Sequence, residues 1–142
     1  MRTLILPLLL VWLPFLCWSQ GQIFGSWQGK MSTPRGNYIF NLDLQPGKSG
    51  RGYIRGVAIH DRNGEKQVIE LEGYFYGDQS LYLADVADPL EKVQQGNTFS
   101  RLQFLCKYEG GEMILSGHWQ EYEDLRKYRR GRLLLHRKKT KA

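Results

Sequence analysis

The chain is poor in cysteine and has no segment suited to a long helix. Only Cys17 and Cys106 occur in 142 residues, and Cys17 lies in the N-terminal apolar run. If that run is removed on export, Cys106 is alone and no internal disulfide can form. The sequence also has no amphipathic helix of about twelve residues, no low-complexity linker and no repeat of about 20–50 residues. These absences exclude a disulfide scaffold, a parallel α/β fold and a repeat array.

The N-terminus has the pattern of a secretory signal peptide. Arg2 precedes an apolar run that includes Pro7 and Pro14 and is too short for a comfortable membrane span. The residues Cys17-Trp18-Ser19 suit cleavage, whereas acylation of Cys17 is disfavoured because small residues do not precede it. We expect a signal peptide at 1–19, one domain at 20–137, a basic tail at 138–142, and a secreted or periplasmic location.

Basic residues are concentrated at the C-terminal end. Nine Lys or Arg and no acidic residue occur from Arg126 to Ala142, whereas ten basic residues face fourteen acidic ones from Gln20 to Leu125. This asymmetry predicts contact with an anionic surface or partner, such as lipid headgroups, polysaccharide or an acidic protein. The predicted contact residues are Arg130, Arg132, Arg137 and Lys138. For the basic strand and tail themselves we favour a solvated face with a frayed end over a binding surface, since charge runs are often solvated.

Apolar and polar residues alternate with period two through most of the chain, which predicts β-strands. Eight such segments lie at about 23–31, 38–44, 51–60, 69–76, 81–86, 101–108, 113–119 and 128–137. Asn63-Gly64 and Gly110-Gly111 fit tight hairpin turns, because a type I′ turn needs two residues with positive φ. In the third segment both faces are apolar, so its inward face is ambiguous.

Short connections predict an antiparallel meander, because parallel strands need long crossovers. Eight strands, each with one apolar face, can close by pairing the first with the last, which removes both exposed edges. We therefore predict an all-β, eight-stranded antiparallel up-and-down barrel. A β-sandwich is the alternative, since it also buries one face of each strand.

Gly25-Ser26-Trp27, early on the first strand, resembles the signature of the lipocalin and calycin families. That resemblance implies a barrel in which the Trp closes one end and an Arg of the last strand, here Arg130 or Arg132, packs over it. The chain is shorter than most lipocalins, lacks their C-terminal helix, and lacks their other motif turns. It is also similar in pattern to short exported bacterial proteins that continue with a Cys-containing strand and Leu115-Ser116-Gly117-His118-Trp119.

Residues with catalytic chemistry are scattered. His60, His118 and His136 lie on different predicted strands without ligand-like spacing, so we expect ordinary exposed or strand-end histidines. Cys106 alternates with apolar residues and is predicted to be buried and inert. A Cys106–His118 pair lacks an evident orienting acid. We therefore predict no enzyme activity, no metal site and no cofactor.

Two charged residues, Asp85 and Arg55, lie on strand faces that also carry apolar residues. Asp85 shares a face with Leu81 and Leu83, so it can pair with Arg55 inside the barrel or reach water at a strand end. We favour the strand-end interpretation, because unpaired charges are seldom buried. Glu121, Glu123 and Asp124 are predicted to form a solvated loop.

Aromatic residues dominate the predicted inner face, and they either fill the barrel or line an apolar pocket. They are Trp27, Tyr38, Phe40, Tyr53, Phe75, Phe104, Tyr108 and Trp119. Our first hypothesis is an exported, non-enzymatic binding module that carries a small apolar ligand. Its predicted lining residues are Trp27, Tyr38, Phe40, Tyr53, Phe104 and Trp119. The alternative is a structural or interaction protein of the cell envelope with a filled barrel and a basic binding surface.

Overall fold

The structure, a computed structural model, describes residues 23–33, 36–48, 52–62, 64–95, 98–122 and 128–138. Its strands are β1 (Gly25–Thr33), β2 (Gly36–Pro46), β3 (Tyr53–Arg62), β4 (Glu65–Phe75), β5 (Ser80–Asp85), β6 (Phe99–Glu109), β7 (Glu112–Tyr122) and β8 (Tyr128–Arg137), and helix α1 (Pro89–Gln94) lies between β5 and β6. The predicted signal peptide, the tail beyond Lys138, Glu123 and Asp124 lie outside the described residues.

The eight strands form one closed sheet. Each strand pairs antiparallel with the next, and β8 pairs with β1. This arrangement confirms the predicted up-and-down barrel and excludes the two-sheet sandwich. Closure also leaves no free sheet edge among these strands.

The predicted Gly110-Gly111 turn is present, because Glu109 pairs with Glu112 across a two-residue loop. Arg62 pairs with Glu65, but Asn63 of the other predicted turn lies outside the described residues. Gly110 and Gly111 have φ values of 58° and 79°, as a type I′ turn requires. Gly64 has a φ of 82° in the other loop.

The barrel interior is packed with side chains that alternate with exposed ones along each strand. On β2, Phe40, Leu42 and Leu44 are buried while Ile39 is 57% exposed. The same alternation places Trp27, Met31, Leu71, Leu83, Leu102, Leu115, Trp119 and Leu135 in the core. Each large apolar side chain buried in this way contributes roughly 1.5–3 kcal/mol to folding.

The inward face of β3 is the one with the smaller residues. Ile54, Ala58 and His60 are buried, whereas Val57 and Ile59 are about one-third exposed, at 36% and 37%. A Cβ at Gly56 would already touch Leu44 Cδ2 at 3.4 Å, so small β3 residues leave room for the leucines of β2. Branched residues on the outer face agree with their preference for strands.

Helix α1 is a short insertion in the longest connection. Asp88 caps its N-terminus by accepting hydrogen bonds from the backbone N–H groups of Leu90 and Glu91, and Pro89 follows at a position where its missing N–H costs nothing. None of its residues is buried. We call the end of the barrel that carries α1 the helix end. The opposite end carries Trp27, and we call it the tryptophan end.

Two predictions for β6 and β7 were wrong. Tyr108 was predicted to face inward, but it is 50% exposed, because it lies beside the Gly110-Gly111 hairpin, beyond the packed interior. Glu121 was predicted in a solvated loop, but β7 continues to Tyr122 and the Glu121 side chain is buried.

Candidate functional site

Trp27 closes the tryptophan end of the barrel. Its side chain is fully buried, and Nε1 donates a 2.8 Å hydrogen bond to the carbonyl of Ile23. The guanidinium carbon of Arg137 lies 4.7 Å from the centroid of the indole, and Nη1 of Arg137 donates to the carbonyl of Phe24 at 2.6 Å. The interaction combines a cation–π contact with a charged hydrogen bond.

The arginine that packs over Trp27 is Arg137, not one of the two arginines that were predicted. Arg130 and Arg132 were expected there, but both are exposed on the outer face of β8. Because Leu133 and Leu135 point inward, the alternation places Arg137 on the inner face. Arg137 therefore does not belong to the predicted partner-binding surface, whereas Arg130, Arg132 and Lys138 are exposed.

Five of the six predicted lining residues lie in or against the barrel interior. Trp27 and Phe104 are packed in the core, and Tyr38 packs against it half-buried. Phe40 and Trp119 line an internal cavity.

Tyr53 lies on the outer face of β3, so its prediction as a lining residue was wrong. It is the neighbour of the buried Ile54, and successive side chains of a strand point to opposite faces. Its hydroxyl donates to a carboxylate oxygen of Glu72, and this hydrogen bond raises the pKa of Tyr53 above its usual value.

The internal cavity lies at the helix end. Its volume is about 10 Å³, which is room for about one water molecule. Pockets for drug-sized ligands measure roughly 300–1,000 Å³. Its walls include Met31, Phe40, His60, Leu71, Ser100, Trp119 and Glu121.

Polar groups converge on this cavity. His60, Ser100 and Glu121 are 2%, 6% and 3% exposed, and Ser100 is the register partner of Glu121 across β6 and β7. The His60 ring stacks with Phe40 at a centroid distance of 6.2 Å.

Two residues that line this cavity each carry an unsatisfied polar atom. Ser100 Oγ and Trp119 Nε1 are buried and have no hydrogen-bond partner among the described residues. Such atoms are uncommon in folded proteins, and each points to a missing partner.

The polar residues of the cavity were not predicted from the sequence. His60 was predicted to be exposed, but it follows Ile54 and Ala58 on the inner face of β3. For Glu121 and Ser100 the signal was present, because alternation from Trp119 and Leu102 places both inside.

Cys106 and His118 do not form a catalytic pair. Cys106 is buried on the inner face of β6, whereas His118 belongs to the outward series of β7 and pairs in register with Gln103. Burial raises the pKa of the Cys106 thiol, which disfavours the reactive thiolate.

Asp85 interacts with the helix rather than with Arg55. Its side chain is 4% exposed and forms an ion pair with Lys92 of α1. Arg55 is exposed on the outer face of β3, so the interior Asp85–Arg55 pair is excluded. The interaction is thus a pair at the end of β5 that ties α1 to the barrel.

A groove of about 1280 Å³ runs along the outer face of β7. Its floor is less exposed than its walls: Ile114 on β7 is 3% exposed, whereas Leu105 on β6 and Leu134 on β8 are 42% and 46% exposed. Both leucines flank Ser116 in register. The small serine therefore lies between two larger apolar side chains.

Cations border this groove. Lys30, Lys107 and Arg132 line it and are exposed, and none forms an ion pair within the described ranges. Arg132 is opposite His118 in register, and Lys30 is opposite Leu134. On the tryptophan side, Glu109 lines the groove, and a Glu112 carboxylate oxygen lies 3.8 Å from Nδ1 of His136.

Neither metal clusters nor membrane-spanning helices are found in the part of the chain that the structure describes. No group of three or more His, Cys, Asp or Glu side chains there is arranged to hold a metal ion. No helix there is long and apolar enough to cross a membrane.

The chain is a closed eight-stranded antiparallel β-barrel, and its fold is similar to that of a solved, redesigned barrel. That structure is a redesigned beta barrel, mFAP1, bound to DFHBI; the TM-score is 0.57 and the identity 16%, with 82% of this chain and 96% of that chain covered. No known family model and no curated protein matches the chain. The likeness establishes the fold, and membership of the lipocalin family stays a prediction.

Proposed function

We propose that this chain is an exported, non-enzymatic binding protein that holds a small neutral ligand with a hydroxyl group at the helix end of the barrel. The observation that carries the proposal is that Ser100 and Trp119 line one cavity, and that Ser100 Oγ and Trp119 Nε1 are both buried without a hydrogen-bond partner among the described residues. A buried polar atom without a partner costs about 1–3 kcal/mol, so a ligand that pairs with either atom is favoured. The redesigned barrel bound to DFHBI supports a binding role for such a fold.

The polar atoms select the chemical class of the ligand. Trp119 Nε1 only donates, so a ligand that binds it must present an acceptor, and a hydroxyl can accept this bond or pair with Ser100 Oγ. An ammonium group has no acceptor for the indole N–H. A carboxylate would lie beside the Glu121 carboxyl in a region of low dielectric, where like charges repel strongly.

The remainder of the ligand needs space that side-chain movement can provide. The cavity of about 10 Å³ accommodates the hydroxyl. Met31 forms part of the wall, and an unbranched methionine side chain adapts to a new neighbour more readily than a branched one. Phe40 and Leu71 offer apolar surface for a short aliphatic chain.

Two further points support export and a non-enzymatic role. Arg2 and the apolar run after it follow the pattern of a secretory signal. Cys106, the one cysteine after position 19, is buried on the face opposite to His118, so this pair has no geometry for nucleophilic catalysis.

The test is a titration of the protein, purified from an exporting host, with hexanol, hexylamine and hexanoate, followed by amide and indole NMR. We expect hexanol to shift the Trp119 indole N–H resonance saturably, and the amine and the carboxylate to shift it less. Ser100→Ala should weaken hexanol binding by roughly fivefold to tenfold, the loss of one hydrogen bond.

Ser26→Ala is the matched control, because Ser26 is exposed on the outer face of β1. It should leave hexanol binding unchanged. Unchanged binding in Ser100→Ala, or no saturable shift with any of the three compounds, would contradict the proposal.

A further inference from the structure

The groove along β7 combines apolar surface with unpaired positive charge on a face that the proposed internal ligand does not reach. Leu105, Ser116 and Leu134 form one row across it, and Ile114 lies one row nearer the tryptophan end. Arg132 lies on the helix side of that row. The row with Leu105 and Leu134 therefore lies next to the positively charged Arg132.

We propose that this groove binds a single-chain amphiphile with an acidic head group, the alkyl chain lying over Ser116 and Ile114 and the head group on Arg132 and Lys30. Lys30 is the register partner of Leu134, two residues from Arg132, so the two cations are diagonal neighbours on adjacent strands. Diagonal neighbours lie roughly 7–8 Å apart at their backbones, within reach of one head group for long side chains.

Charge complementarity selects the acidic head group. Lys30 and Arg132 are exposed and have no carboxylate partner among the residues described here. On the tryptophan side, Glu109 follows Lys107 by two residues on β6, and Glu112 lies beside His136. The anionic end therefore belongs on the helix side, and the chain points toward the tryptophan end.

The shape of the groove favours a monomeric amphiphile over a bilayer or a peptide. Ile114 lies below the exposed Leu105 and Leu134, so a flat bilayer surface would meet the walls first. An extended peptide gains affinity by adding to a free sheet edge, and the closed barrel offers none. A flexible alkyl chain needs only the apolar floor.

The test is a calorimetric titration of the exported protein with dodecyl phosphate, kept below its micelle concentration, with dodecylphosphocholine and butyl phosphate in parallel. Dodecyl phosphate should bind tightest, because the choline compound lacks net negative charge and the butyl compound lacks the long chain. Amide NMR should place the shifts at Ser116 and Leu134 and leave the Trp119 indole N–H unchanged. This readout separates the groove from the internal cavity, so either proposal can fail alone.

Two variants test the two halves of the groove. Lys30→Glu with Arg132→Glu should weaken dodecyl phosphate binding by about tenfold or more, and Ser116→Trp should block the chain without a change of charge. The matched controls are Arg55→Glu with Lys66→Glu and Gln45→Trp, which alter exposed positions on β2 to β4 in the same way.

Equal binding by the Lys30→Glu, Arg132→Glu protein and its control would overturn the inference. The same holds if the protein binds only anionic vesicles, or if dodecylphosphocholine binds as tightly as dodecyl phosphate. Normal amide spectra of the variants confirm that each is folded.

Discussion

Arg137 lies over the ring of Trp27 and also donates a hydrogen bond to the carbonyl of Phe24. One side chain at the end of β8 thereby covers the buried indole and holds the segment before β1. Because Trp27 Nε1 binds the carbonyl of Ile23, the two side chains satisfy successive backbone acceptors of that segment. The contact ties the last strand of the barrel to the start of the first.

Replacing Arg137 with Gln should destabilise the barrel. The change removes a cation–π contact, about 0.5–2 kcal/mol, and a charged hydrogen bond, about 1.5–3 kcal/mol, so we expect a loss of about 2–4 kcal/mol in the free energy of unfolding. Urea denaturation measures it. Arg130→Gln, at an exposed position of the same strand, should cost less than about 0.5 kcal/mol. Similar losses in both variants would show that Arg137 has no special role.

Gly131 should not tolerate alanine. It is the register partner of Trp119, and an added Cβ would lie 2.4 Å from Trp119 Nε1 and 2.3 Å from the carbonyl oxygen of Ser32. We expect Gly131→Ala to lose about 1–3 kcal/mol of stability through overpacking and to displace the indole. Gly77→Ala is the control, because nothing lies within 4 Å of its Cβ position. Thermal unfolding and the Trp119 indole resonance report the two effects, and an unperturbed Gly131→Ala protein would refute the close approach.

Cys106 should make stability depend on pH in alkaline solution. Burial raises the pKa of the thiol in the folded protein above that in the unfolded chain. Its contribution is therefore fully present below the unfolded pKa, about 8.5, and is lost as pH rises through the folded value. Between about pH 7 and about pH 10, the wild type should lose more stability than Cys106→Ala, which lacks the titrating group. Urea denaturation at both pH values measures the difference, and parallel pH profiles would contradict it.

The barrel could be predicted from sequence because its pattern is local. Alternation on β2 determines which of its side chains point inward, and the Gly110-Gly111 turn determines which residues of β6 and β7 pair. Because the connections are short, the antiparallel meander is the simplest topology. The third strand was the exception, since both of its faces are apolar. In the structure Gly56 faces Leu42 and Leu44 of β2, and that contact is not visible in the sequence of β3 alone.

The candidate sites were harder to predict because they use polar residues on faces expected to be apolar. Glu121 and Arg137 were assigned to the surface from their charge, although alternation from Trp119 and Leu135 places both inward. The groove combines residues of β1, β5, β6, β7 and β8. Its depth depends on Ser116 lying between two leucines of neighbouring strands, which only the register reveals.

Asp85 and Lys92 provide a test of which cation stabilises the buried carboxylate. Asp85 also accepts a 3.1 Å hydrogen bond from the backbone N–H of Ala87, so its two oxygens hold both the turn after β5 and helix α1. Lys92→Met leaves this carboxylate without its cation and should cost about 1–3 kcal/mol, less than a fully buried pair because Lys92 is 21% exposed. Arg55→Met should cost almost nothing, because Arg55 is exposed on the outer face of β3. Urea denaturation with amide exchange across 89–94 measures both, and a larger loss from Arg55→Met would restore the interior pair that the structure excludes.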